Sequence, residues 1–114
     1  MITVTICKNH DGDITEFETR GHAGYDDSGK DIVCAAVSML VINTINSIEA
    51  FTDTDMEVES RSDEDDALIS AKVTGHMSDK TAVLLKALEL GLTQAAKGNP
   101  KYISITFKAV SYTH

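Results

Sequence analysis

The stretch from residue 31 to residue 48 constrains the fold most, because it is apolar on nearly every face of a helix. Its apolar side chains run from Ile32 to Ile48, and its polar ones gather towards the end. About eighteen residues without a turn signal exceed the length of an ordinary strand. We therefore predict a helix buried between layers, with the N-terminal half, which carries Cys34, as its more deeply packed end.

Segments that alternate between apolar and polar residues flank this helix and predict strands. They cover residues 2–7, 14–19, 56–59, 67–73 and 102–108. A second helix is predicted to start after Ser78, a good N-cap, and to stop at Gly98-Asn99-Pro100. The element order ββαββαβ predicts an α+β fold in which two helices cover a mostly antiparallel sheet. A chain of 114 residues forms a single domain, residues 1–114.

The charge balance limits the possible partners. The formal net charge is −8, from 10 basic and 18 acidic residues, which argues against direct binding of nucleic acid because such binding needs a basic surface. Aspartates 26, 27 and 31 and eight acids between residues 53 and 66 suggest an acidic rim that steers a basic partner. The run at 63–66 equally fits a solvated turn.

The sequence also bears on the compartment. No stretch reaches the roughly 18 consecutive apolar residues of a membrane span, and the first residues begin a strand pattern, not a signal sequence. We therefore expect a cytoplasmic protein with no membrane partner. Its two cysteines are then expected to be thiols, since disulfides are rare in that compartment. Cys34 is thus available for reaction.

The chemistry is predicted to lie in residues 21–38, where a glycine-rich loop precedes the first helix. The loop has three glycines within about ten residues, so we expect it to be mobile. If Asp31 is the N-cap, Cys34 occupies position N3 in the first turn. A thiol there becomes more acidic and more nucleophilic, because it faces unpaired N–H groups and the positive end of the helix macrodipole.

A cysteine protease needs a thiolate, a histidine and N–H donors aimed at the oxyanion. Cys34 is the candidate nucleophile, and His22 in the loop is the candidate base and later acid. Ser38 follows Cys34 by one helical turn, near enough to hydrogen-bond the thiolate or a substrate carbonyl. Asp31 either orients His22 or caps the helix, and capping already accounts for it. His76 reaches Cys34 only if both helices start at one end of the sheet; otherwise it is a core or capping histidine.

The residues Gly21-His22-Ala23 and the run Gly-Lys-Asp-Ile-Val-Cys-Ala-Ala-Val-Ser at 29–38 resemble the signature of the ribosomal-processing cysteine protease Prp family. The resemblance implies a dyad of His22 and Cys34. The candidate substrate-binding or supporting residues around them are Gly21, Ala23, Asp31 and Ser38. It also implies a homodimer, a loop that orders when substrate binds, and a substrate, the N-terminal extension of a bacterial large-subunit ribosomal protein. A basic, disordered extension suits an acidic enzyme.

Two other functions stay open. A non-catalytic peptide-binding ribosome-assembly factor would use the glycine-rich loop to hold a basic tail without cutting it. A metal or redox site would use Cys34, His22, His76 and Cys7. Structural zinc prefers paired ligands at close spacing, which this sequence lacks, so we expect no metal and no cofactor.

Overall fold

The structure, a computed structural model, describes residues 1–21, 28–62 and 67–110, with the backbone alone for residues 28–31 and 62. Its elements follow the predicted order ββαββαβ. The strands are β1 (Ile2–Lys8), β2 (Ile14–Gly21), β3 (Met56–Ser62), β4 (Ala67–Val73) and β5 (Ile103–Ala109), and the helices are α1 (Ser28–Phe51) and α2 (Asp79–Gly98). The predicted α+β class is confirmed.

The strands form one mixed sheet in the order β3-β4-β2-β1-β5. Three neighbouring pairs are antiparallel, and β1 pairs with β5 in parallel. The turn between β1 and β2 is held by Asn9, whose side-chain oxygen accepts hydrogen bonds from the backbone N–H groups of Asp11 and Asp13, each at 3.0 Å. Gly12 takes the left-handed conformation that this turn needs, with φ 83°. The mostly antiparallel sheet is confirmed.

Both helices pack on the same face of the sheet. Ile2, Val4 and Ile6 alternate along β1 towards that face and are at most 4% exposed. On the helices, the buried side chains recur every three or four residues, as one face of a helix requires. They are Val33, Val37, Val41, Ile45 and Ile48 on α1, and Leu85, Leu88 and Leu92 on α2.

Only one face of α1 is buried, which corrects the prediction of a helix enclosed between layers. Ile32 and Met39 are 70% and 71% exposed, although they lie in the half predicted to pack more deeply. Among the described residues, α1 is the one helix whose length and composition would allow it to cross a membrane, with a mean hydropathy of 1.6 over Ile32–Phe51 and 33% of that segment buried. Core helices pass the same test, and α1 contributes to the core. The expected absence of a membrane partner stays a prediction.

The start of α2 confirms the sequence-based prediction. The Ser78 hydroxyl accepts a hydrogen bond from the Thr81 backbone N–H at 3.2 Å, so Ser78 is the N-cap. The Thr81 hydroxyl is fully buried and lies 2.6 Å from that of Thr54 and 3.0 Å from that of Ser78. Asn99 caps the other end, in the predicted stop signal. These hydroxyl contacts attach the start of α2 to the segment that follows α1.

Candidate active site

A groove of about 320 Å³ lies between α1 and the end of the sheet where β2, β4 and β3 run side by side. Its α1 wall carries Cys34, Val37, Ser38 and Ile42. Residues of β1 to β4 complete the lining, among them Gly21 at the end of β2. The groove therefore brings together three of the predicted site residues, Gly21, Cys34 and Ser38.

The α1 wall follows from helical geometry. Cys34, Ser38 and Ile42 recur every four residues, so they form one row along the helix. This row lies beside the buried row that includes Val37 and Val41, which places it at the border between core and solvent. Cys34 and Ser38 are accordingly half-buried, whereas Ile42 is 46% exposed. A half-buried thiol on a groove wall is accessible to a bound peptide while its helix is held by the core.

The start of α1 corrects the predicted position of Asp31. The helix begins at Ser28, so Asp31 is its fourth residue and not its N-cap. Cys34 is then the seventh residue, in the second turn, where its own N–H belongs to the helical ladder. Helical side chains tilt towards the N-terminus, so the Cys34 side chain still leans towards the first turn. The dipole argument for an activated thiol is weaker than predicted, because the effect falls off within the first turn.

Gly21 has little room for a side chain. A Cβ atom at this position would lie 3.0 Å from the Cα of Ile2 and 3.2 Å from its Cγ1. Gly21 pairs with Ala67 across β2 and β4, so two small residues lie side by side in the groove lining. The glycine thus allows β1 to pack closely against the end of β2, and it limits how far the strands fill the groove.

The groove is not lined by acids in the part that the structure describes. Arg20 and Arg61, the two arginines of the chain, are its charged lining residues there. Both pair with Leu68 in the sheet and bond acids two residues back, Arg20 to Glu18 at 3.4 Å and Arg61 to Glu59 at 3.5 Å. Aspartates 26 and 27, the side chain of Asp31 and the 63–66 run lie outside the described residues. The predicted acidic rim therefore stays a prediction.

The other sequence-predicted residues separate into two groups. His22 and Ala23 lie outside the described residues, so their roles stay predictions. His76 is exposed and lines a second groove near Phe51, the last residue of α1. Seventeen residues of helix separate Phe51 from Cys34, a distance of about 25 Å. The structure therefore does not bring His76 to Cys34.

Cys7 is the second thiol of the chain and lies apart from the groove. It is 9% exposed and pairs with Glu16 and Lys108 of the neighbouring strands, on the sheet face away from the helices, as predicted. Burial raises the pKa of the Cys7 thiol, and the nearby Glu16 carboxylate raises it further. Neither thiol forms a disulfide, as the sequence predicted. Within the described parts of the chain, no three His, Cys, Asp or Glu side chains are grouped to hold a metal ion.

Sequence reasoning missed most of the groove lining. Ile42 was detectable, because it continues the spacing of Cys34 and Ser38 along α1. Ile69 was not, because its place on the helix-facing side of the sheet beside Thr19 depends on the pairing of β4 with β2, strands from different hairpins. Periodicity predicts which residues share a strand face, but it does not determine which strands are neighbours.

Known proteins resemble this chain in both sequence and fold. Segments of 48 and 52 residues are 42% and 40% identical to the "Ribosomal processing cysteine protease Prp" of Bacillus subtilis and of Staphylococcus aureus, respectively. These segments cover 42% and 46% of this chain, and they span about half the length of the curated relatives, 43% and 49%.

Solved structures match over nearly the whole fold. SMU.848 from Streptococcus mutans is 27% identical, with a TM-score of 0.87 over 96% of each chain. Prp from S. aureus with a covalently linked product peptide is 25% identical, with a TM-score of 0.81 over 95% of this chain and 100% of that one. The family model described as "Cysteine protease Prp" matches residues 1–104. This match covers both the groove and the whole of α1, so the chain belongs to the cysteine protease Prp family.

Proposed function

We propose that this chain is a cysteine endopeptidase that removes the N-terminal extension of a bacterial large-subunit ribosomal protein. The observation that carries the proposal is the half-buried Cys34 on the wall of a groove of about 320 Å³, in a chain of the Prp family. Gly21, the residue before His22 in the sequence, lines the same groove and supports His22 as the partner of Cys34.

The reaction needs one thiolate and one proton carrier. The Cys34 Sγ attacks the carbonyl carbon of the scissile peptide bond, and the carbonyl oxygen takes the negative charge. As the C–N bond breaks, His22 gives its proton to the leaving amine and a thioester forms on Cys34. His22 then removes a proton from water, the resulting hydroxide attacks the thioester, and the N-terminal peptide leaves as a carboxylate with the thiol restored.

The oxyanion needs donors near Cys34. The unpaired N–H groups of α1 are those of residues 28–31, the first four residues of the helix. Since the Cys34 side chain leans towards that turn, these backbone groups are the nearest helix donors to a carbonyl bound at the sulfur. The Ser38 hydroxyl on the same row is a further donor. Asp31 contributes to the site through this first turn and not through a cap.

The S. aureus relatives support a peptide ligand. Their structures hold a substrate peptide in one case and a covalently linked product peptide in the other. The corresponding complex here would place an extended peptide along the groove and join its new carboxyl end to Cys34. The apolar lining from Val37, Ile42 and Ile69 favours apolar side chains in that peptide.

The enzyme acts in the cytoplasm as a homodimer and does not bind nucleic acid directly. A net charge of −8 supports the last point, because repulsion from a phosphate backbone opposes binding. The same charge favours the approach of a basic ribosomal-protein tail.

Cleavage of an extended ribosomal protein tests the proposal. The protein is incubated with that substrate, and mass spectrometry of the substrate identifies its N-terminus. The wild type and the Cys7→Ala control should both shorten the substrate, whereas Cys34→Ala and His22→Ala should not. Binding of the tail without shortening would instead identify a peptide-binding assembly factor, and cleavage by Cys34→Ala would contradict the proposed nucleophile.

A further inference from the structure

The strand β3 forms one edge of the sheet, so among the described residues only one of its two sides pairs with a strand. That side pairs with β4 along the whole of β3, without a shift in register. One position before Met56, the carbonyl of Asp55 accepts a hydrogen bond from the N–H of the opposite Thr74 at 2.9 Å. In an antiparallel pair, such hydrogen-bonded positions alternate with positions whose backbone groups point away from the partner strand.

This alternation identifies the backbone groups on the outer edge of β3. Every second residue after Asp55 bonds β4 through its backbone. The residues between them direct their N–H and C=O groups outwards, and within the described parts of the chain these groups bond no other residue; they are Met56, Val58 and Ser60. Their side chains face the helices, because Val58 lies opposite the core residue Ala71. The outer edge thus offers the hydrogen bonds of a further strand.

The helix side of this edge lacks the usual protection of an open strand. Natural sheets block their edges with proline, bulges or charged side chains. β3 contains no proline and no register shift, and its charged residues Glu57, Glu59 and Arg61 all lie on the sheet face away from the helices. Val58, on the helix side, is 44% exposed, so α1 does not fully cover the edge strand. A further strand can therefore reach this edge.

The open edge continues the groove that holds Cys34. Ser60 lines that groove together with Cys34 and Ile42. Since β3 starts shortly after the end of α1, it runs from the far end of α1 back towards the end that carries Cys34. A strand antiparallel to β3 therefore leads out of the groove, passes Ser60 first and Met56 last, and covers about 13 Å.

The charges along this path favour the basic part of a substrate. Arg61 lies at the groove, and the path away from it becomes acidic, with Glu59, Glu57, Asp55 and Asp53 in that order. Every second side chain of an added strand lies on the same face as Glu57 and Glu59. The mature part of a ribosomal protein is positively charged, because it binds the phosphate backbone of RNA. The acids therefore attract the part of the substrate that follows the cleavage site.

We infer that the substrate residues on the C-terminal side of the scissile bond form an antiparallel strand along the outer edge of β3. Their backbone groups bond those of Met56, Val58 and Ser60. The inference deepens the proposed function and rests on it. It also explains how the enzyme selects a tail, since a segment that is already folded has no free backbone to pair with β3.

Peptides with methylated backbone nitrogens test this pairing. The Cys34→Ala protein is used because it leaves the peptide uncut. Each peptide contains the cleavage site of the extended ribosomal protein and one N-methyl group, placed at each position after the scissile bond in turn. Methylation removes a donor and obstructs the approach of the strand wherever the nitrogen faces β3. Calorimetry should show a Kd that rises about five-fold or more at alternate positions and less than about two-fold between them.

A proline on the outer edge provides a second test in the protein that retains Cys34. Val58→Pro removes an outward N–H that β4 does not use, and edge strands accept proline at such positions. It should raise the KM for the extended protein about five-fold or more. Ala109→Pro is the matched control on the other edge strand, β5, because the N–H of its neighbour Val110 is the one that bonds β1. It should leave KM unchanged. Circular dichroism verifies that both variants fold, and the methylated peptides decide alone if Val58→Pro does not.

Several results would overturn the inference. They are equal effects of methylation at every position after the scissile bond, alternation confined to positions before that bond, an unchanged KM in folded Val58→Pro, and an equal rise in KM in Ala109→Pro. If the wild type still shortens the substrate, these results leave the proposed protease standing. Alternating effects on binding with no cleavage by the wild type support the added strand and contradict the protease, so the two failures are distinguishable.

Discussion

Replacing Gly21 by alanine tests how closely the strands pack beside Cys34. The new Cβ would lie 3.0 Å from the Cα of Ile2, 3.2 Å from its Cγ1 and 3.4 Å from the carbonyl oxygen of Met1. Ile2 has little freedom to move away. Its N–H donates to the carbonyl of Tyr102 at 2.7 Å, it pairs with Ile103 of β5, and its side chain is 4% exposed in the core. The strain therefore falls on backbone and not on the end of a flexible side chain.

The expected cost follows from two opposing effects. Overpacking of this kind costs about 1–3 kcal/mol, and alanine recovers about 0.4–1 kcal/mol by restricting the unfolded chain. The free energy of unfolding should thus fall by about 1–2 kcal/mol in Gly21→Ala. Because the shift displaces the end of β2, which lines the groove, the rate of cleavage should fall as well.

Urea denaturation followed by circular dichroism measures the change. Gly91→Ala is the matched control, since Gly91 lies inside α2 and its Cβ would meet only the Leu40 side chain of α1, at 3.4 Å, an ordinary contact. Alanine in a helix interior is better than glycine by about 0.5–1 kcal/mol, so this variant should gain stability. A Gly21→Ala protein as stable as the wild type, with the same slope against urea, would refute the packing argument.

Four further predictions concern residues outside that contact. Thr81→Val should lower the free energy of unfolding by about 1–3 kcal/mol in urea, because it removes a fully buried hydroxyl 2.6 Å from that of Thr54; no loss would contradict the buried hydroxyl cluster. Burial raises the pKa of Cys7, so the folded state favours its neutral thiol; the free energy of unfolding should fall as the pH rises past 9.0 and fall less in Cys7→Ala, and parallel curves would refute this assignment. Alkylation mapped by mass spectrometry at neutral pH should modify Cys34 in preference to the buried Cys7, and weaken in His22→Ala; equal labelling of both thiols would count against an activated Cys34. His76→Ala should keep cleavage within about two-fold of the wild type, because His76 lines a groove near Phe51, at the other end of α1 from Cys34; a larger loss would place it in the mechanism.

The fold was predictable where local chemistry determines it. Alternation located all five strands, and the Asp-Gly pair produced the turn in which Gly12 has φ 83°. Ser78 identified the start of α2, because a serine side chain satisfies an N–H that the helix leaves unpaired. Each of these signals depends on residues that are close together in the chain, so it can be recognised from the sequence alone.

The depth of α1 was not predictable from its composition. Hydropathy does not distinguish a side chain that faces a core from one that faces solvent, and both Val41 and Met39 raise it. The structure separates them, with Val41 fully buried and Met39 71% exposed. A helix that is apolar on nearly every face can thus have one face in the core and another exposed.

The site was predictable in its helical part and at Gly21, but not in the rest of its strand side. Cys34 and Ser38 share the groove because residues four apart on a helix are neighbours. The predicted cap at Asp31 was wrong, since the helix extends four residues further, through Gly29, which is a poor helix former. The strand side depends on long-range pairing, such as Gly21 with Ala67, which no local pattern determines.

The charge of the groove differs from what the net charge of the chain predicts. A net charge of −8 predicts an acidic surface on average, yet both arginines of the chain line the groove. The register sets Arg20 and Arg61 on either side of Leu68, at the end of the sheet that borders the groove. Net charge thus describes the molecule as a whole, whereas strand pairing brings these two positive charges to one end of the sheet.

The most direct test of the central claim is to find the residue that bonds to the substrate. The protein is mixed with an extended ribosomal-protein peptide, the reaction is stopped with acid within its first turnover, and the chain is digested and analysed by mass spectrometry. We predict an adduct on Cys34 with the mass of the released N-terminal peptide less one water, and none on Cys7. Cleavage of the peptide by Cys34→Ala, or an adduct on any other residue, would contradict the assignment of Cys34 as the nucleophile.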